Sequence, residues 1–104
     1  MMKYQLVIQF PEELYGDLDW IIDMEDRLEE LLTDAEVDGH DIGSGEVNIF
    51  IHTNNPMDTF KRAKDLLKEV DVVTLKNMKV AYRKISGEQY HILWPQNLTT
   101  FKVT

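Results

Sequence analysis

The chain has no cysteine. That excludes a disulfide framework, a thiolate metal site and a cysteine nucleophile, and a cytoplasmic location is the expectation. Long apolar runs are missing as well: the longest hold three or four residues, whereas a membrane-crossing helix needs roughly 20. No membrane partner is expected. Three prolines and five glycines are too few and too scattered for a low-complexity linker. Positive charge is nearly absent from the first half. Residues 1–46 hold fourteen acidic side chains against Lys3 and Arg27, net −12, while residues 47–104 hold five against nine, net +4, giving −8 overall. Lys and Arg on phosphates supply most of the affinity for nucleic acid, so no nucleic-acid partner is expected. A basic protein partner suits this charge split, and plain solubility is the bland alternative.

With 104 residues, 43% of them hydrophobic, the chain builds one small core, and residues 1–104 read as a single domain. The N-terminal stretch lacks the apolar run and cleavage site of a signal peptide. Instead Tyr4, Leu6, Ile8 and Phe10 alternate with Gln5, Val7 and Gln9, the period of a strand. After Pro11 and Gly16, the segment from about Asp17 to Asp34 places Leu18, Ile21, Ile22, Leu28, Leu31 and Leu32 on one side of a helix. Its outer surface is acidic.

Val47, Ile49 and Ile51 alternate with Asn48, Phe50 and His52, and Gly43-Ser44-Gly45 joins them to segment 36–42 as a hairpin. The register contains a conflict: Val37 opposes Ile51 across a three-residue loop, whereas Ile42 opposes Val47 only across a two-residue one. A β-bulge at Gly39 reconciles the two, because glycine accepts positive φ. Asn55, Pro56 and Asp58 open a second helix over roughly 56–70, whose exposed residues are mainly basic. Met78, Val80 and Tyr82, a turn at Ser86-Gly87-Glu88, and Tyr90, Ile92 and Trp94 form a second hairpin. The tail 96–104 docks through Phe101 and Val103.

This order predicts an α+β fold: a ferredoxin-like β-α-β-β-α-β sandwich with an additional C-terminal strand, an antiparallel sheet carrying two helices on one face. The other face, with Phe50 between Asn48 and His52, is left for a ligand, a homodimer partner, or the tail or Trp94 as cover. The element order and the hairpin Val37-Asp-Gly-His-Asp-Ile-Gly-Ser-Gly-Glu46 resemble small, uncharacterised bacterial ferredoxin-like (α/β plait) domains. The resemblance spans nearly the whole chain and implies the fold, without an activity.

Candidate chemistry centres on the same hairpin. Asp34, Glu36, Asp38 and Gly39 imitate the start of a calcium loop, but its twelfth position is Gly45 instead of a bidentate acid. Asp38, His40, Asp41, Glu46 and His52 are the types of ligand a divalent metal takes, although strand geometry separates them, and no metal or other cofactor is expected. His40 with Asp41, or His52 with Glu36, offers an acid/base pair without a nucleophile beside it. Ser44 lacks the strand-turn-helix setting of a nucleophile elbow. The expectation is therefore a non-enzymatic, inhibitor-like or immunity-like interaction module for a basic partner. Its candidate contacts are Asp23, Asp26, Glu29 and Glu30 on the helix and Asp38, His40, Asp41, Phe50 and His52 on the hairpin. The alternatives are a ligand-binding or enzymatic site at the 38–52 hairpin and a homodimer through the open sheet face.

Overall fold

A computed structural model describes residues 2–103. Nine elements follow in order: β1 (Tyr4–Pro11), α1 (Glu12–Tyr15), α2 (Leu18–Leu31), β2 (Glu36–Gly43), β3 (Glu46–Thr53), α3 (Pro56–Val70), α4 (Val72–Asn77), β4 (Lys79–Lys84) and β5 (His91–Trp94). The strands form one antiparallel sheet in the order β2-β3-β1-β4-β5. The fold is α+β, with four helices.

β1 lies in the middle, and its alternation decides both faces. Leu6, Ile8 and Phe10 join Val47, Ile49, Ile51 and Val80 in a core closed by Ile21, Met24 and Leu28 of α2 and Ala63 and Leu67 of α3. Both long helices therefore cover the same face. Pro11 ends the strand because it has no N–H for the ladder, and α1 makes a single turn. A side chain at Gly16 would fall 2.7 Å from the Glu12 carbonyl oxygen, so glycine alone fits the exit. Asp17 then caps α2 by accepting from the Asp19 N–H at 2.9 Å.

The β2–β3 hairpin carries both competing pairings: Ile42 opposes Val47 across a two-residue turn, and Val37 opposes Ile51. The register shifts between Val37 and Gly39, which makes Asp38 the extra residue, and Gly39 has φ +116°. Ser44 and Gly45 both have positive φ, 54° and 81°, as the turn that follows the twist of a tight hairpin demands. Asn55 caps α3 by accepting from the Asp58 N–H at 3.2 Å, with Pro56 in the first turn.

Two short helices, α1 and α4, have no counterpart in the sequence reading. Asp71 initiates α4 by accepting from the Val73 N–H at 2.9 Å, and this cap overrides the poor helix propensity of Val72-Val73-Thr74. The last hairpin forms around Arg83, whose Nη1 donates to the carbonyls of Lys84, Ile85 and Gly87 at 3.2, 3.1 and 2.9 Å.

The second sheet face is not fully open. The C-terminal segment returns across it: Gln9 Nε2 donates to the Lys102 carbonyl at 2.8 Å and to Asn48 Oδ1 at 2.9 Å, and Phe101 packs on Tyr90. Val7, Ala81 and Asn48 are wholly buried. Trp94 does not take part in this cover, because it lies on the helix side and donates from Nε1 to the Leu75 carbonyl at 2.9 Å. The β2–β3 portion of that face stays accessible, with Phe50 and His52 half-buried.

Candidate functional site

Helical periodicity sorts the acids of α2. Asp19, Asp23, Asp26, Glu29 and Glu30 are all exposed. Asp23 pairs with Arg27 at 3.0 Å, with both side chains more than half exposed, so this pair contributes little. Among the described residues, no cation lies within ion-pair distance of Asp19, Asp26, Glu29 or Glu30. Glu25 alone turns inward, because it follows the buried Ile21 and Met24 around the helix. There it meets His40 Nδ1 at 3.0 Å. The partner expected for His40 was Asp41, and the structure corrects it: neighbouring strand residues point to opposite faces. Helix amphipathicity could have exposed this pairing, since Glu25 sits where an apolar residue belongs.

His52 lies on the other face. It opposes Glu36 in register, and its Nε2 approaches Asp38 Oδ2 at 3.5 Å, because Asp38 shares the face of Glu36 by alternation, whereas the bulge beyond it turns His40 to the helix face. His40 and His52 thus form two separate histidine–carboxylate pairs on opposite sides of one hairpin, so the expected grouping of His40, Asp41 and His52 does not form. Asp41 opposes Asn48, and Phe50 sits between Gly39 and Val7. Among the described residues, no three of His, Asp and Glu converge on a metal-sized space. The calcium-loop comparison fails on backbone grounds too: residues 36–43 are strand and cannot wrap an ion.

Clefts lie elsewhere. One of about 560 Å³ is lined by Met2, Lys3, Tyr4, Lys84, Ile85 and Ser86, with neither histidine pair in its wall. Another of about 260 Å³ lies beneath the tail between Gln9, Ser44, Lys79 and Phe101. The second also has Glu46 and Lys102 in its wall beside Lys79, but among the described residues Glu46 forms no ion pair with either lysine.

One ion-pair cluster ties the helices. Arg62 of α3 donates from Nη2 to Asp34, just past α2, and lies 3.2 Å from Asp58 through Nε, which makes no aligned hydrogen bond. The hydrogen bond from Arg62 holds the Asp34 carboxyl below the usual carboxylate range, against a smaller opposing effect of desolvation. The same bond raises the Arg62 guanidinium. Arg62 also points Nη1 at the Leu31 carbonyl, where the negative end of α2 favours a cation.

The acids gather at one edge of the molecule. β2 ends the sheet, carries Glu36, Asp38 and Asp41 exposed, and is flanked by the acidic side of α2. Apart from Arg27, paired with Asp23 on α2, the cations occupy other elements, among them Lys61, Lys64 and Lys68 on α3 and Lys79, Arg83 and Lys84 on β4. Lys64 Nζ is held 4.4 Å from the Trp94 ring centroid, a cation–π arrangement. No family model, curated protein or solved structure matches the chain.

Proposed function

We propose that the chain is a non-enzymatic interaction module that binds a basic protein through the acidic edge formed by α2 and β2. The observation that carries this reading is the placement of uncompensated acids from two neighbouring elements on one edge, while the cations lie on α3 and β4. Such a field steers association and rejects acidic competitors. The separation of the two histidine–carboxylate pairs speaks for binding over catalysis, because neither has a nucleophile or a third group to orient it. The strand order with two helices on one face supports the ferredoxin-like plait as the scaffold, and an inhibitor-like role follows if the edge fills a positively charged cleft.

Reversal of Asp23, Asp26, Glu29 and Glu30 to lysine tests it. All four are exposed, so the expected result is unchanged thermal unfolding with at least about a tenfold loss of affinity for basic proteins at low salt. Reversal of the exposed Asp65, Glu69 and Glu88 should leave binding within about twofold, since those residues lie off this edge. Equal losses in the two variants would mean that net charge, and not the α2–β2 edge, determines binding.

A further inference from the structure

β2 has β3 on one side and, among the described residues, no strand on the other. Its outer N–H and C=O groups are a template for another strand. Beyond the bulge, His40, Asp41, Ile42 and Gly43 pair one-to-one with Ile49, Asn48, Val47 and Glu46, so this part of the edge is regular over roughly 13 Å at about 3.3 Å per residue.

An exposed apolar strip accompanies that regular part. The contact of Glu25 with His40 fixes where α2 overhangs β2. α2 runs opposite to β2, because it leads from the end of β1 to the start of β2, which is parallel to β1. Ile22, one turn before Glu25, and Ile42, two residues after His40, therefore both lie toward the hairpin turn, displaced by about 4.5 and 6.6 Å respectively. Leu18 continues the same side of α2 one turn further. These three apolar side chains are left 51% (Leu18), 44% (Ile22) and 37% (Ile42) exposed. Asp26 and Glu29 rim them on the helix, and Asp41 points to the other sheet face beside Asp38 and Glu36.

The geometry points to strand addition at β2: an extended basic segment of a partner protein, with apolar residues alternating with Lys or Arg, pairs along His40–Gly43, its apolar side chains over Leu18, Ile22 and Ile42 and its cations toward Asp38 and Asp41. This rests on the acidic-edge reading above and names the partner's conformation and pattern. Charge complementarity selects the occupant. A second copy of β2 would bring acid against acid, and the bulge at Asp38 shortens the flat edge, as edge strands that avoid self-pairing do. Main-chain hydrogen bonds would supply affinity, and the two side-chain faces would supply selectivity.

The test uses synthetic nine-residue peptides and the intact protein: one alternating Lys and Val, one of the same composition in two blocks, and two alternating peptides N-methylated either on every Lys or on every Val. Only one set of strand amides faces the protein. Strand addition therefore expects the alternating peptide to bind about tenfold tighter than the block peptide, and one methylated peptide to lose that advantage while the other keeps it. Ile22→Lys and Ile42→Lys should each weaken the alternating peptide by about tenfold, whereas Leu14→Lys, at a residue 62% exposed, should not. If all four peptides bind alike and lose binding to the reversed α2 variant, strand addition is wrong and the acidic edge survives. If none binds at low salt, both readings fall.

Discussion

Gln9 shows how one polar side chain can organise a face of the sheet. It is 3% exposed, and its amide nitrogen donates both to Asn48 and to the Lys102 carbonyl. Both partners are acceptors, so the residue must be a double donor. Gln9→Glu replaces the two donors with a carboxylate facing two oxygens, and should cost about 1–3 kcal/mol, the penalty for buried polar groups left unpaired. Protonation gives the new carboxyl a single donor, so the deficit relative to wild type should narrow as pH falls; denaturant unfolding at several pH values measures both effects. The Asn48 Nδ2 group is buried without a partner, and nothing in its surroundings explains that. Two residues further along β3, Phe50 opposes Gly39, whose positive φ of 116° is what calls for glycine, since a side chain there would meet nothing within 4 Å. The bulge was legible because Val37 and Ile42 demanded incompatible loops. The histidine partners were not, since the Glu25 contact depends both on the bulge turning His40 to the helix face and on how α2 lies across β2, and the Asp38 contact on which way two side chains of one face lean.

Between elements, Arg62 connects the middle of α3 to the chain just beyond α2. Asp34 has its carboxyl held below the ordinary value of 3.8, chiefly by the hydrogen bond from Arg62. A carboxyl depressed in the folded state stabilises it above the unfolded value, and that contribution is lost as pH falls through the folded value. Asp34→Asn should therefore unfold at a lower temperature than wild type near neutral pH, with the difference shrinking below pH about 4 as the wild-type pairing is protonated. The exposure of Asp34 makes the difference sensitive to salt. Thermal melts of the two proteins across that range check the sign. The long elements were readable from sequence for a common reason: their caps and periodicities agree. Asn55, Pro56 and Asp58 open α3 as written, and the alternation of β1 survives burial on both faces. α4 escaped because its β-branched residues read as strand, and only its Asp71 cap argues otherwise. The tail was expected to dock, but its place across Gln9 is a tertiary outcome with no local signature.

For the molecule as a whole, the sheet order converts a linear charge split into a spatial one. The acidic half of the chain supplies α2 and the outermost strand β2, and the basic half supplies α3 and β4 toward the other side. The uneven distribution was visible in sequence. Its concentration at an unpaired strand edge, beside Leu18, Ile22 and Ile42, emerges only once β2 is placed outermost. Covering the second face with the tail leaves its centre closed and moves attention from the open sheet to that edge. This edge is the proposed seat of a basic chain. The most direct measurement is nuclear magnetic resonance mapping of the isotope-labelled protein with a lysine-rich peptide at low and moderate salt. The expected result is shifts confined to Leu18–Leu31 and Glu36–Gly43 that fade as salt rises. Shifts centred on α3 or around Phe50 and His52, with α2 and β2 silent, would contradict it.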